Sequence, residues 1–215
     1  MKALIINCTL KPSPEFSNTG ALINKAAQQL KQSGVETEVI RLVDYEIKPG
    51  TETDMGKGDQ WPAVIEKIKK CNIFIIGTPI WMGHLASTTQ RMIERLDAIF
   101  HDEQFADKTT GQYFTYNKVA GCLVTGNEDG AHACAAQVLW AMQELGFTIP
   151  PNANAYWVGP AGGDKDYVEA GGEKYFYTNY TLRWMIANLT FFARLLKTNP
   201  IDSNLIDLKE KARTD

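Results

Sequence analysis

The sequence has little of what marks disulfide-stapled, metal-cluster or nucleic-acid-binding proteins. Only four of its 215 residues are cysteine, and no two of them form a C-x-x-C pair. This spacing argues against a zinc site, an iron–sulfur cluster or a disulfide framework, and it favours buried thiols in a reducing compartment. The 25 acidic residues outnumber the 22 basic ones, so we expect no nucleic-acid partner.

Long hydrophobic runs are also lacking. The longest candidate, 184–196, is interrupted by Asn188, Thr190 and Arg194, and falls short of the ~20 apolar residues of a spanning helix. The apolar stretch 3–6 is too short for the core of a signal peptide. We therefore expect a cytoplasmic globular protein without a membrane partner.

Short apolar runs alternate with segments of helical periodicity. The runs typical of strands lie at 2–8, 36–43, 73–77, 119–124 and 155–158. The run at 73–77, IFIIG, is apolar enough for a central strand covered on both faces. The alternation predicts an α/β fold, a doubly wound five-stranded parallel sheet with helices on both faces.

Helix signals separate these runs. Ser17 or Asn18 can cap the first helix, Pro62 suits the start of the second, and Ser87 with Gln90 has the spacing of a capping box. The last helix is expected at about 175–196. We assign residues 1–199 to one domain and 200–215 to a charged, extended C-terminal tail.

Ligands of doubly wound sheets bind beyond the carboxyl ends of the strands, where the winding direction reverses. The loop after the first strand ends at a helix N-terminus and carries hydroxyl, amide and lysine side chains, namely Thr9, Lys11, Ser13, Ser17, Asn18 and Thr19. Such a loop can bind a phosphate monoester, although a surface loop before a capped helix is the alternative. Neither the P-loop pattern nor G-x-G-x-x-G occurs in it.

Two further loops are expected at the same edge. The loop after the third strand offers a flat apolar wall, made of Pro79, Ile80, Trp81, Met82 and Gly83, unless these residues pack on a neighbouring helix. The loop after the fourth strand offers backbone donors and two carboxylates, in Thr125, Gly126, Asn127, Glu128, Asp129 and Gly130, unless it is an ordinary turn. A phosphate site, an apolar wall and polar donors together fit a phosphorylated aromatic molecule such as FMN.

Other polar residues are given structural interpretations. His84 and His132 are predicted to be exposed rather than bound to a substrate or flavin oxygen. Asp54 and Asp59 lack the spaced oxygen ligands of a calcium loop, so we predict solvated side chains and no metal site. Tyr156 and Trp157, in the fifth strand, either cover a ligand or pack in the core.

The three loops resemble those of the flavodoxin-like NAD(P)H-dependent FMN reductase and quinone reductase family. The resemblance spans about residues 2–160 and rests on three motifs, S-N-T at 17–19, G-T-P-I-W-M-G at 77–83 with 90–96, and T-G-N-E-D-G at 125–130. It implies the sheet order 2-1-3-4-5, with FMN at its carboxyl edge. It also implies that Thr9 and 17–19 hold the phosphate, that 79–83 line the isoalloxazine ring with the N–H groups of Met82 and Gly83 near N5, and that 125–130 face N1 and the C2 carbonyl.

The resemblance implies an FMN-dependent oxidoreductase. NADPH or NADH would give hydride to flavin N5, and a quinone, flavin or similar small acceptor would take the electrons in a ping-pong reaction. The long loops 45–60 and 101–117 would shape substrate choice, and an apolar face of the last helix would form a homodimer or larger homo-oligomer.

Three other functions fit parts of the sequence. A flavodoxin-type electron carrier would have the same fold and FMN but a protein partner, and such carriers are more acidic than a net charge of −3. A receiver-type signalling domain would need an aspartate at the end of the third strand, where Gly77 and Thr78 stand. A cofactor-free binding module would stay colourless after FMN is added.

Overall fold

The sheet is built around the buried strand of the IFIIG run. The computed structural model describes residues 1–163 and 165–214. Its strands are β1 (Lys2–Asn7), β2 (Glu36–Arg41), β3 (Ile73–Trp81), β4 (His84–Leu85), β5 (Val119–Gly126) and β6 (Asn154–Val158). Its helices are α1 (Asn18–Gln32), α2 (Trp61–Lys70), α3 (Ser87–Leu96), α4 (Ala98–His101), α5 (Ala131–Glu144), α6 (Phe176–Thr198) and α7 (Leu205–Ala212). Within the described ranges, no helix is both long and apolar enough to cross a bilayer.

Five strands pair in parallel in the order β2-β1-β3-β5-β6. The two strands predicted last are β5 and β6, so the doubly wound fold and its strand order are confirmed. The short β4, which we did not predict, pairs antiparallel with the end of β3.

Each face of the sheet has its own hydrophobic core, because alternate residues of a strand point to opposite faces. Leu4 and Ile6 of β1 belong to the core under α2, α3 and α5. Ala3 and Ile5 belong to the core under α1 and α6. The helices therefore pack on both faces and leave the carboxyl ends of the strands to the loops.

One of the predicted helix caps forms and another does not. Ser17 caps α1, since its Oγ accepts the Gly20 N–H at 2.9 Å. The capping box at Ser87 is wrong: Ala86 is the N-cap of α3, and the Gln90 amide donates to Glu94 one turn along the helix instead.

The C-terminal segment is not the extended arm that its charge predicts. Asn204 caps α7 by accepting the N–H groups of Ile206 and Asp207. The Leu205 N–H donates to the Thr110 carbonyl in the loop 102–118. That loop leads into the amino end of β5, at the sheet edge opposite the carboxyl ends. Its role in substrate choice stays a prediction. The boundary between domain and tail stays a prediction.

A buried ion pair holds the loop 45–60. Asp59 was expected to be solvated, but its carboxylate and the Arg95 guanidinium are fully buried and form two hydrogen bonds, at 2.7 and 3.1 Å. Arg95 also donates to the carbonyls of Lys48, Glu52 and Thr53. Burial raises the pKa of Asp59, but hydrogen bonds from Arg95 and from backbone N–H groups outweigh burial and leave that pKa well below its ordinary value.

We predict that Asp59→Asn lowers the free energy of unfolding at pH 7 by about 3–5 kcal/mol, because it leaves the buried Arg95 charge uncompensated. Denaturant titration measures this loss. The pKa of Asp59 is lower in the folded than in the unfolded chain, where it is about 3.9. Its contribution is therefore complete above about pH 4 and declines as the pH falls toward the folded value.

The gap between wild type and Asp59→Asn should accordingly narrow at pH 3. Glu66→Gln in the exposed Lys69–Glu66 pair is the control, and it should change the stability by less than about 0.5 kcal/mol. A gap that stayed constant down to pH 3 would contradict the role of the ion pair.

Candidate functional site

A cleft of about 220 Å³ lies at the carboxyl edge of the sheet. It brings together residues predicted from all three loops: Thr9, Lys11, Ser17, Asn18, Thr19, Pro79, Ile80, Trp81, Thr125, Gly126, Asn127 and Glu128. The predicted residues Met82, Gly83, Asp129 and Gly130 do not line it but lie in the turns beside Trp81 and Glu128. Three lining residues were not predicted as ligand-binding: Leu10, Asp166 and Tyr167. Trp157, for which two positions were left open, both lines the cleft and packs in the core under α1 and α6.

The N-terminus of α1 forms one end of the cleft. The first N–H groups of a helix have no partner within it, and here the Ser17 side chain accepts that of Gly20. Among the described residues, no acceptor is found for the N–H groups of Asn18 and Thr19. These N–H groups, the positive end of the helix dipole and the exposed Lys11 make this end suitable for an anion.

Arg41 shapes the loop that precedes α1. Its guanidinium donates to the carbonyls of Lys11, Pro12 and Glu15 at 2.9–3.0 Å. Asp44 binds the same loop, since it accepts the backbone N–H and the hydroxyl of Ser13 at 2.8 and 2.6 Å. The loop conformation is therefore imposed by two charged residues at the end of β2 and beyond it.

An aspartate joins the first loop to the third. The Asp166 carboxylate accepts the side-chain amides of Asn18 at 3.1 Å and Asn127 at 3.3 Å. The Asn18 amide oxygen in turn accepts the Val168 N–H at 3.0 Å. The segment 165–168 is thus attached across the cleft by amide side chains of two predicted loops.

The apolar wall is part of a tight hairpin. Trp81 and His84 pair between β3 and β4, and Met82 and Gly83 form the two-residue turn, with φ values of 52° and 77°. Positive φ at both positions is what a type I′ turn requires. It costs a residue with a Cβ, such as Met82, roughly 1–2 kcal/mol. The turn leaves Trp81 half-exposed and Met82 85% exposed.

Glu128 binds this turn from the third loop. One carboxylate oxygen accepts the Met82 N–H at 3.0 Å and the other accepts the Gly83 N–H at 3.1 Å. These are the two donors expected near flavin N5, and in this structure both are already bonded. Gly130 packs so closely that a Cβ there would lie 2.7 Å from the Gly83 carbonyl oxygen.

Tyr167, a residue of the cleft lining, has a buried hydroxyl without a partner among the described residues. The residue is 1% exposed, and its ring packs edge-on against Trp157. Burial raises the pKa of Tyr167 to about 12, so the hydroxyl keeps its proton at neutral pH.

The histidines and Cys8 stand apart from this chemistry. His84 and His132 are exposed, and the His132 ring shares a 3.0 Å hydrogen bond with the Tyr156 hydroxyl. All four cysteines are free and buried, and burial raises the pKa of Cys8 to about 12. No cluster of metal ligands occurs within 1–163 and 165–214.

The family model for NADPH-dependent FMN reductases matches residues 1–159. The chain belongs to this family. It is 40% identical, over its whole length and 86% of the relative, to an 8-demethyl-8-aminoriboflavin-5'-phosphate synthase of Streptomyces davaonensis. The crystal structure of RosB with the bound intermediate 8-demethyl-8-formylriboflavin-5'-phosphate matches the whole chain and 87% of that protein, with a TM-score of 0.93 and 40% identity. A flavodoxin from Archaea, 12% identical with a TM-score of 0.54 over 89% of the chain and 99% of that structure, shares the fold.

We predict that Arg41→Ala speeds amide hydrogen exchange in the loop 9–17 by at least about tenfold, because three carbonyls lose their charged donor. Exchange in β3 should not change. Arg183→Ala, at an exposed position of α6, is the control. Unchanged exchange in the loop would mean that Arg41 does not fix it.

Proposed function

We propose that the cleft binds FMN and that the enzyme is an NAD(P)H-dependent oxidoreductase. When bound, FMN would accept hydride from NADPH or NADH at N5 and pass electrons to a quinone, a flavin or a similar small acceptor in a ping-pong reaction. The observation that carries this proposal is the convergence of an anion site, an aromatic wall and polar loops at one cleft in a chain of this family.

The lining suits both ends of such a molecule. The N–H groups of Asn18 and Thr19, which have no acceptor among the described residues, would hold the phosphate, with Lys11 adding charge. Trp81 and Trp157 would give aromatic surfaces for a flat ring. The Tyr167 hydroxyl has no acceptor among the described residues and would donate its hydrogen bond to the bound ligand.

Electron-carrier chemistry remains the alternative, with a protein as redox partner. A second candidate is favoured by the 40% identity to the aminoriboflavin-phosphate synthase, which spans the whole chain. In that case the phosphorylated flavin would be the substrate rather than a retained cofactor. The same lining serves both functions, because each needs the phosphate and the ring held in fixed positions.

We also propose a cytoplasmic homo-oligomer, a dimer or larger. The outer face of α6 exposes a row of aromatic and aliphatic side chains, namely Phe176, Tyr177, Tyr180, Trp184, Phe191 and Leu195. Exposed apolar surface of this kind is typical of an interface. Light scattering should give a mass of at least twice that of the chain, and Trp184→Glu should lower it toward the monomer.

The visible spectrum of the purified protein tests the proposed function. We expect a flavin spectrum, native or after FMN is added, that bleaches with NADPH or NADH without oxygen. Bleaching with dithionite alone would favour the carrier. Mass spectrometry of the released flavin separates the remaining candidates, since an altered flavin mass would favour the synthase-like function. A protein that binds no FMN would refute the proposal.

Tyr167→Phe gives a sharper prediction for the site. Without ligand, the variant should melt at the same or a higher temperature, because it removes a buried hydroxyl that has no partner among the described residues. Its FMN dissociation constant should rise about five- to tenfold, because the bound ligand loses a donor. Tyr113→Phe, in the loop at the opposite edge, is the control. A lower melting temperature with unchanged affinity would show that the hydroxyl is structural.

A further inference from the structure

The Met82–Gly83 turn does not have the sequence that its conformation favours. Two-residue type I′ turns prefer Asn-Gly, Asp-Gly or Gly-Gly, because asparagine, aspartate and glycine tolerate positive φ. Met82 has neither the polar side chain nor the freedom from a Cβ that eases this conformation, yet its φ is 52°. Its side chain is 85% exposed, so packing does not explain the conformation either.

Glu128 provides what the turn lacks. Its two carboxylate oxygens accept both N–H groups of the turn, at 3.0 and 3.1 Å, and hydrogen bonds to a charged acceptor are stronger than neutral ones. Glu128 is half-buried and lies in the cleft lining beside Trp81. The third loop approaches the turn at a second point as well, since a Cβ on Gly130 would lie 2.7 Å from the Gly83 carbonyl oxygen.

We propose that Glu128 is a positioning residue of the cleft. Its carboxylate holds the Met82–Gly83 turn in the left-handed conformation, and the turn keeps Trp81 in place as the wall against a bound aromatic ring. The assignment rests on the proposed FMN site for its effect on binding. The effect on the turn itself does not depend on FMN.

A double-mutant cycle tests the proposal. Glu128→Ala should raise the FMN dissociation constant about tenfold in the wild-type background, measured by quenching of flavin fluorescence. In the Met82→Asn background the same substitution should raise it less than about twofold, because Asn-Gly favours this turn without help. In each background, the dissociation constant of the Glu128→Ala protein is divided by that of the same protein with Glu128. Any contact that Met82 itself makes with the ligand therefore cancels.

Amide hydrogen exchange of the flavin-free protein gives a second, independent result. Glu128→Ala should expose the N–H groups of Met82 and Gly83 to exchange, and Met82→Asn in the same chain should restore part of their protection. Asp107→Ala is the matched control, since Asp107 also accepts two turn N–H groups, those of Thr109 and Thr110, but lies at the opposite edge. It should leave the affinity for FMN unchanged.

The outcomes separate this proposal from the proposed function. An equal loss of affinity in both backgrounds would overturn it, because Glu128 would then act on the ligand directly or through its charge. Unchanged affinity in Glu128→Ala would also overturn it. If the wild-type protein binds no FMN, the proposed function fails, and amide hydrogen exchange alone tests the role of Glu128. Loss of protection at the Met82 and Gly83 N–H groups in Glu128→Ala, with partial recovery when Met82→Asn is added, supports that role. Any other pattern overturns it.

Discussion

The cleft exists because the chain reverses its winding direction at β1. From β1 the chain crosses to β2 on one side, and it then returns past β1 to β3 on the other. The helices that follow β1 and β3 consequently pack on opposite faces of the sheet, α1 over one core and α3 over the other. The loops after these two strands must diverge, and the crevice between them cannot be filled by either helix.

Charged side chains then give these loops their shape. A loop without regular structure leaves backbone N–H and carbonyl groups that need other partners. Arg41 binds three carbonyls of the loop after β1, Arg95 binds three of the loop after β2, and Glu128 binds two N–H groups of the turn after β3. In each case one charged side chain satisfies several backbone groups that regular secondary structure does not pair.

The long-range contacts of these charged residues also explain which features could be predicted from the sequence and which could not. The five strands, the Ser17 cap and the cleft residues of three loops follow from local patterns, since apolar runs and helix starts are encoded within a few residues. The strand order was implied by the resemblance to the flavodoxin-like reductase family. The partners of Arg41, Arg95 and Glu128 lie 26–47 residues away, and no local pattern signals them. The prediction of a solvated Asp59 was wrong for that reason, since its partner Arg95 lies 36 residues away. The β4 hairpin was not predicted because Met-Gly is not a typical hairpin turn sequence. Asp166 and Tyr167 were not predicted because the Gly-rich loop that carries them has no recognisable ligand-binding pattern.

Carboxylate side chains of the cleft lining form hydrogen bonds that link its loops. The carboxylates of Glu128 and Asp166 each accept two hydrogen bonds from other loops, and the Tyr167 hydroxyl keeps its proton until about pH 12. Among the described residues, the lining includes no histidine and no cysteine. Such a site positions a ligand more readily than it transfers protons to it. In the proposed function, reactivity would then come largely from the bound flavin itself, with the cleft supplying position and orientation.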